Sequence, residues 1–575
     1  MNLYSVSLVN QRNNMRWEPK PLPDSTKVKA IQEALQVPET VAKLLIQRGI
    51  EDFETAKAFF RPQLSELHDP FLMQDMQQAV ERIDRACQQQ ESLMIYGDYD
   101  VDGTTSVSLV YSFLRPFFQE IMPYIPDRYA EGYGISFQGI DVAAAKGVHL
   151  IIALDCGIKA VEKVAYAKSK GIDFIICDHH LPGDTLPDAV AVLDPKRPDC
   201  QYPYKELCGC GIGFKLIQAQ TTFWKEDSKA LLPYLDLVAT AIAADIVPMT
   251  GENRILAFHG IEQLRKNPRA GLRPFIAQLK KPVTVTDLVF VIAPRINAAG
   301  RMSHALNAAE LLIESDLEQV DLKAKAIEAY NSERRTTDMR ITKEALVMIK
   351  EQGEEERYST VVCQEDWHKG VIGIVASRLI ETYYRPTVVF SVVGDTMVGS
   401  VRSVKGFSIY EALDACKEHI VQFGGHKYAA GLTIEKKEFE AFKNAFEAVV
   451  QERILPEQRT PTIAYDTEVS FEELTPKLFR ILEQLGPFGP QNMRPVFRTN
   501  QALDSGYSKA IGKDFSHLRL SIQTKTSPLA GIAFGRADFL PQIQTKQPFD
   551  LVYTLDENVW NGQTSLQLKV KDLMA

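Results

Sequence analysis

Three carboxylates, Asp98, Asp100 and Asp102, stand at alternating positions in IYGDYDVDGTTS, directly after the apolar run LMIY and before a stretch rich in Ser, Val and Leu. Acids spaced this way repel one another unless cations compensate them, so the chemistry to expect is divalent-metal binding. The same Asp-x-Asp-x-Asp-Gly opening begins a calcium-binding EF-hand loop. Here, however, the closing twelfth position is Leu109 and the preceding run reads as a strand, not a helix. A solvated acidic turn is the other reading of this motif taken alone. An apolar run ending in Asp recurs at Asp155 (HLIIALD) and at Asp178 (DFIICD), and His179 and His180 follow the latter directly. Imidazole nitrogens beside carboxylates make a mixed N/O donor set suited to Mn2+, with Mg2+ also accommodated. Asp245 is an acid inside the apolar run VATAIAADIVP; alone it reads equally as a helix cap or a satisfied buried acid.

The elements that must position these residues are legible as alternation. From about 92 to 250, short apolar strands alternate with helical stretches, which predicts a parallel sheet covered by helices. Acids that follow such strands converge at the carboxyl ends of the sheet, where ligands bind. Residues 25 to 65 read as short amphipathic helices. Residues 317 to 350 contain neither Gly nor Pro and are rich in helix formers, which predicts one long helix joining two lobes. A second mixed α/β unit follows STVVCQ. Past Pro456 come five short strands with intervening turns, suited to a small β-barrel of the OB type. The domains expected are a helical leader at 1–70, a catalytic domain at 71–316, a connecting helix at 317–350, a second α/β domain at 351–457 and the barrel at 458–575.

The chain has 575 residues and a formal charge of -9, too long for one core, and the acidic balance leaves a nucleic-acid partner open because a phosphate-holding field need only be local. The eight cysteines have no framework spacing, which points to reduced thiols. Cys208 and Cys210 lack a second ligand pair and read as buried small hydrophobes. The segment MNLYSVSLVNQRNNMRW has no apolar core long enough for a signal peptide, and no later stretch is suited to spanning a membrane, so a cytoplasmic location is expected.

Taken in order, DYDVDGT, the Asp155 motif, DHH and Asp245 resemble the DHH phosphoesterase superfamily. The similarity continues through PRINAAGR at 294–301, HKGVIGIVASRL at 368–379, SVRS at 400–403, GGH at 424–426 and LGPFGPQNMRPVF at 485–497. Within the superfamily the chain most resembles the RecJ family of single-strand-specific 5′-to-3′ exonucleases. The resemblance implies an α/β fold: a parallel-sheet DHH domain, a long helix, a smaller α/β DHHA1 domain and a C-terminal OB-type barrel. It implies that Asp100, Asp102, Asp155, His179 and Asp245 hold two divalent cations, Mn2+ or Mg2+, with Asp155 bridging. Asp98, Asp178 and His180 are expected to orient those ligands or touch the scissile phosphate. Tyr96 is a departure, since related pyrophosphatases carry a His ligand four residues before the first metal Asp; Asp98 stands as the candidate to compensate.

Hydrolysis of a phosphodiester needs an activated water and charge compensation on the phosphoryl oxygens, and two ions about 4 Å apart supply both. Arg295, Asn297 and Arg301 in PRINAAGR are candidates for gripping phosphates. So are His368, Arg402, Gly424, Gly425 and His426 in the second lobe. A Gly-Gly-His triplet alone marks only a turn. In the barrel, Phe488, Phe497, Tyr507 and Phe515 interleave with Arg494, Arg498, Lys509, Lys513 and Arg519, either as a stacking and backbone-gripping track for single-stranded DNA or as barrel core. The family further implies a role in DNA repair and recombination, with a helicase and single-strand-binding protein as partners. Two alternatives are a phosphodiesterase of the same superfamily acting on short oligonucleotides or cyclic dinucleotides, and a DNA-binding relative without catalysis.

Overall fold

Short apolar runs bounded by turn residues make strands, and those that precede the acids do so in one sheet. The computed structural model describes residues 15–525, 527–560 and 563–574. The stretch read for a signal peptide lies largely in residues 1–14, outside the described residues. After strand β1 (Arg16–Pro19) and helices α1 (Ser25–Leu35), α2 (Glu39–Ile46) and α3 (Phe53–Phe60), the chain builds five strands. These are β2 (Leu93–Gly97), β3 (Ile121–Tyr124), β4 (Leu150–Leu154), β5 (Asp173–Cys177) and β6 (Ala191–Leu193), all parallel, in the order β3-β2-β4-β5-β6. Every residue of β2 and β4 is buried. Leu93, Ile95, Leu150 and Ile152 feed one apolar core while Met94, Tyr96, Ile151 and Ala153 feed another, which is why these strands read as continuous apolar runs. The strand order reverses between β2 and β4, so their carboxyl ends open a crevice there.

Helices α4 (Val101–Leu114), α5 (Gly209–Trp224), α6 (Leu235–Ala244), α7 (Gly251–Lys266) and α8 (Ala293–Met302) contribute to the first of these cores. Helix α9 runs Leu317–Glu351, 35 residues without Gly or Pro, as expected.

The chain divides into two compact units: Glu54–Arg334 with Gln484–Arg494, and the remainder, comprising residues up to Phe53, Arg335–Glu483 and Pro495 onward. In the second unit β7 (Thr360–Gln364), β8 (Thr387–Val393), β9 (Thr396–Arg402), β10 (Gln422–Gly425) and β11 (Ala429–Glu435) form a mixed sheet in the order β10-β11-β9-β8-β7, with helix α10 (Ile372–Thr382) between β7 and β8 in sequence. Strand β12 (Thr462–Tyr465) pairs in parallel with β1. The C-terminal strands are β13 (Thr467–Glu468), β14 (Phe497–Ala502), β15 (Lys509–Ile511), β16 (His517–Ile522), β17 (Leu529–Ala533), β18 (Phe549–Trp560) and β19 (Gln563–Met574). They form an OB-type sheet of seven strands with β13 and β15 at its edges, two more than the five expected.

Two segments sit differently from the sequence-based boundaries. The leader is shared: α1 and α2 group with the C-terminal strands, where Gln47 Nε2 donates to the Asp466 carbonyl at 2.8 Å and Thr40 Oγ1 to Glu473 at 2.8 Å. Residues 484–494, inside the expected barrel, group instead with the parallel-sheet unit. Met249 N donates to the Pro490 carbonyl at 2.8 Å and Arg254 Nη1 to that of Leu485 at 3.0 Å.

Candidate metal centre

Each strand of the crevice delivers an acid at its carboxyl end: Asp98 after β2, Asp155 after β4 and Asp178 after β5. Asp98 is fully buried, with Oδ1 accepting from Gly134 N at 3.3 Å. Asp100 is the N-cap of α4, its Oδ1 accepting from Gly103 N at 3.1 Å. Asp102, in the first turn of that helix, is 1% exposed and is met by the N-terminus of α5. Gly209 N donates to its Oδ2 at 2.6 Å and Cys210 N to its Oδ1 at 2.8 Å. Two helix N-termini thus point positive ends at neighbouring carboxylates. The approach of α5 requires glycine: a Cβ on Gly209 would stand 2.6 Å from Asp155 Cβ and 2.8 Å from its Oδ1.

His179 Nε2 lies 3.1 Å from Asp155 Oδ1, 3.7 Å from Asp245 Oδ2 and 3.9 Å from Asp102 Oδ2. The donor atoms of Asp155, His179 and His180 lie within 4.8 Å of one another, as do those of Asp102, His179 and Asp245, so His179 is common to two candidate ligand groups. Asp245 ends α6 at its C-cap, where the helix dipole disfavours negative charge, and the following Ile246 has φ 59°, a strained value for a β-branched residue.

The electrostatics describe a site built for cations. Burial and the Asp100 charge push Asp98 up to about 8 and Asp102 up to about 7, and burial with Asp102 pushes Asp245 up to about 8. Burial and the other acids hold Asp155 well above the ordinary carboxylate range. Burial holds the His179 imidazole down to about 3, and therefore neutral and able to ligate. Buried Asp155 Oδ1 and Asp98 Oδ2 accept no hydrogen bond among the described residues. Buried oxygens without donors, one of them, Asp155 Oδ1, facing the neutral His179 imidazole, fit a hard or borderline divalent ion.

Asp178 differs. Burial raises it, but the His180 hydrogen bond and charge and the Ile158 amide outweigh burial and hold it below the ordinary range. His180 Nδ1 lies 2.7 Å from Asp178 Oδ1 and Ile158 N donates to Oδ2 at 2.9 Å, so Asp178 orients His180. The His180 side chain is 38% exposed at the crevice. Tyr96 takes no part as a ligand: it is fully buried, its hydroxyl donating to the Gly134 carbonyl at 3.0 Å and accepting from Ser136 N at 3.1 Å.

Of the PRINAAGR residues, Arg295 has its guanidinium occupied by Glu328 at 2.6 Å, the Val291 carbonyl at 2.7 Å and Gln278 at 3.2 Å. It therefore ties α8 to α9 and has few donors left for a phosphate. Asn297 is half-buried, and the Arg301 carbonyl accepts from Tyr129 at 2.6 Å. A Cβ on Gly300 would stand 2.9 Å from the Tyr99 carbonyl, which brings α8 against the acidic loop.

In the second unit, Arg402 Nη1 donates to the Val401 carbonyl at 2.8 Å, and its Nη2 would lie 3.1 Å from a Cβ on Gly373 near the start of α10. Nδ1 of His368 accepts from Gly370 N at 3.1 Å. Gly424 and Gly425 lie on β10, and His426 is exposed, beside a cavity of about 610 Å³ lined in part by Tyr410, Lys427 and Arg453. Of the aromatics assigned to the barrel, Phe497 is core and Phe488 belongs to the 484–494 segment, while Tyr507 and Phe515 are 77% and 68% exposed. Lys509, Lys513 and Arg519 are exposed; Arg498 is paired with Asp550 at 2.9 Å.

Three parts of the site escaped sequence reading. Asp194 follows β6, is fully buried and leaves Oδ2 without a partner among the described residues; AVAVLD repeats the strand-then-Asp signal that marked the others. The backbone amides of Gly209 and Cys210 carry no side-chain signal. Tyr133 places its hydroxyl 3.2 Å from His180 Nε2, and burial with the carboxylate charges raises that phenol, keeping it protonated.

Comparison with known proteins shows what the whole chain is similar to. The chain matches the DHH family N-terminal domain over residues 92–242, the DHHA1 domain over 356–452 and the RecJ OB domain over 465–572. It is 35% identical over 565 residues to the single-stranded-DNA-specific exonuclease RecJ of Bacillus subtilis (strain 168), covering 97% of this chain and 71% of that protein. It is 31% identical to the RecJ of Escherichia coli (strain K12) over 563 residues, 94% and 96% of the two chains. The crystal structure of RecJ in complex with Mn2+ from Thermus thermophilus aligns with a TM-score of 0.85 at 26% identity, over 98% of this chain and 80% of that one.

Proposed function

This chain belongs to the RecJ family, and from that premise we propose that it is a metal-dependent, single-stranded-DNA-specific exonuclease that digests from the 5′ end and releases 5′-mononucleotides, acting in DNA repair and recombination. The observation that carries the reading is the cluster of buried Asp102, Asp155 and His179 with half-buried Asp245, in which His179 Nε2 lies 3.1–3.9 Å from an oxygen of each acid. These residues, with Asp100, would hold two divalent cations, Mn2+ or Mg2+. Bound there, such ions would supply an activated water and charge compensation for the phosphoryl oxygens.

The chain's own groups do the rest. Asp178 fixes the His180 ring at the crevice wall, where Nε2 can hydrogen-bond the phosphate or the leaving 3′-oxygen. The amides of Gly209 and Cys210 hold Asp102 in one orientation. In the second unit, Arg402, His368 and the β10 glycines are suited to gripping phosphates, and the exposed Tyr507, Phe515, Lys509, Lys513 and Arg519 to tracking single-stranded DNA. The reading implies a helicase and single-strand-binding protein as partners and a cytoplasmic location. Among the described residues no helix is long and apolar enough to cross a membrane. Asp155→Ala should abolish both high-affinity Mn2+ binding and cleavage of single-stranded DNA; retained cleavage with unchanged metal dependence would refute the assignment.

A further inference from the structure

Strand β6 ends beside the ligand-bearing strand β5. Cys177 pairs with Leu193, and Asp178 N donates to the Leu193 carbonyl at 3.0 Å. Two three-residue segments therefore leave the sheet side by side at its carboxyl edge: Asp178-His179-His180 after β5 and Asp194-Pro195-Lys196 after β6. The first belongs to the metal centre. The second brings a lysine to the same edge.

The loop that carries this lysine is pinned. Asp194 Oδ1 accepts from Lys196 N at 2.7 Å, and the Asp194 carbonyl accepts from Arg197 N at 3.3 Å. Arg197 Nη1 donates to Asp75 at 2.6 Å and to the Val192 carbonyl, while its Nε and Nη2 meet Asp199 at 3.0 and 2.7 Å. Lys205 Nζ donates to the Cys200 carbonyl at 2.8 Å. Arg197 and Lys205 are thus spent on the fold. Lys196 is not: its side chain is half-buried and, among the described residues, makes neither a hydrogen bond nor an ion pair. A partly desolvated ammonium without an acceptor is unfavourable unless a ligand supplies one. Its charge also reaches the metal centre. After burial, the neighbouring acids and His180, Lys196 is among the groups acting on both His179 and Asp245. Asp102, Asp155 and Asp245 meet His179 but form no ion pair with Lys or Arg among the described residues, so Lys196 is not spent neutralising them.

We propose that Lys196 is a substrate-binding residue whose ammonium takes a non-bridging oxygen of the phosphodiester seated at the metal pair. This rests on the exonuclease reading of that centre. The test follows cleavage of 5′-labelled single-stranded DNA at saturating Mn2+, over a range of DNA and salt concentrations, by full-length wild type, Lys196→Met and Lys196→Arg. Mn2+ titration and Tm are measured alongside. Lys196→Met keeps an unbranched stem and removes the charge. It should raise KM roughly ten- to hundredfold, the worth of one hydrogen bond to a charged group, with the rate at saturating DNA and the Mn2+ affinity undiminished. The slope of log KM against log salt should fall by about 0.7, one phosphate contact on a single strand. Lys196→Arg keeps the charge and should recover most of the KM. A wild-type KM and salt slope for Lys196→Met would overturn the proposal. So would a loss of Mn2+ affinity or of Tm shared by both variants, which would assign Lys196 to the fold. A wild-type protein that leaves single-stranded DNA uncut in Mn2+ would overturn the exonuclease reading instead.

Discussion

Asp155 sits at φ 60° at the end of β4, its amide donating to the Cys177 carbonyl at 2.8 Å. A non-glycine residue is held in that sparsely populated region only where its surroundings over-determine it, and such strain collects at functional sites. Its neighbours share a second cost. With Asp98 and Asp245 pushed up to about 8 and Asp102 to about 7, the folded cation-free protein holds protons that the unfolded chain would release. The stability these groups contribute is complete only below about pH 4, where the unfolded chain is protonated too, and is lost progressively as pH rises to the folded values of about 7 and 8. In EDTA, these groups should therefore lower Tm between about pH 4 and about pH 8 and add no further fall above that, and saturating Mn2+ should flatten the fall because the ion replaces the protons. A Tm in EDTA that is level over this range would contradict the clustering of the acids. The acids themselves were readable because each follows an apolar run. Asp194 obeys the same rule, but the strand before it has only three residues and gives a weaker signal.

At the scale of elements, the crevice depends on how closely α5 can approach β4. Gly→Ala within a helix ordinarily stabilises by up to about 1 kcal/mol. At Gly209 the sign should reverse, because the added Cβ would stand 2.9 Å from the backbone Cα of Asp155, an atom that cannot step aside. The expected outcome for Gly209→Ala is a loss of roughly 1–3 kcal/mol in urea unfolding together with weaker Mn2+ binding; unchanged Mn2+ affinity would mean that α5 does not shape the site. Strand and helix periodicity predicted the parallel sheet and α9 well. It could not reveal the Gly209 and Cys210 amides, since a backbone donor is the same in every residue and its aim is decided by tertiary packing. The seven-stranded C-terminal sheet exceeded expectation for a related reason: β13 has two residues and β15 three, too short to carry an alternating pattern.

On the scale of the whole molecule, long-range pairing overrode the order of the chain. Residues 16–19 complete a two-stranded sheet with residues 462–465, and 484–494 group with the parallel-sheet unit, associations that no local pattern encodes. Removing everything after 458 would therefore strip more than the proposed DNA-tracking residues, and point substitutions are the sharper test. Lys509 lies directly opposite Arg519 across β15 and β16, a like-charge pair that is unfavourable unless an anion joins it. Replacing Tyr507, Lys509 and Arg519 together by Ala should raise Kd for long single strands by roughly tenfold or more and leave dinucleotide turnover unchanged; equal losses on both substrates would assign these residues to the fold. The most direct measurement is digestion of single-stranded DNA labelled at the 5′ or the 3′ end, in Mn2+ or EDTA, by wild type and by Asp102→Ala. The account predicts early release of mononucleotide from the 5′ label alone, abolished by EDTA and by the substitution. Digestion that survives either treatment would contradict it.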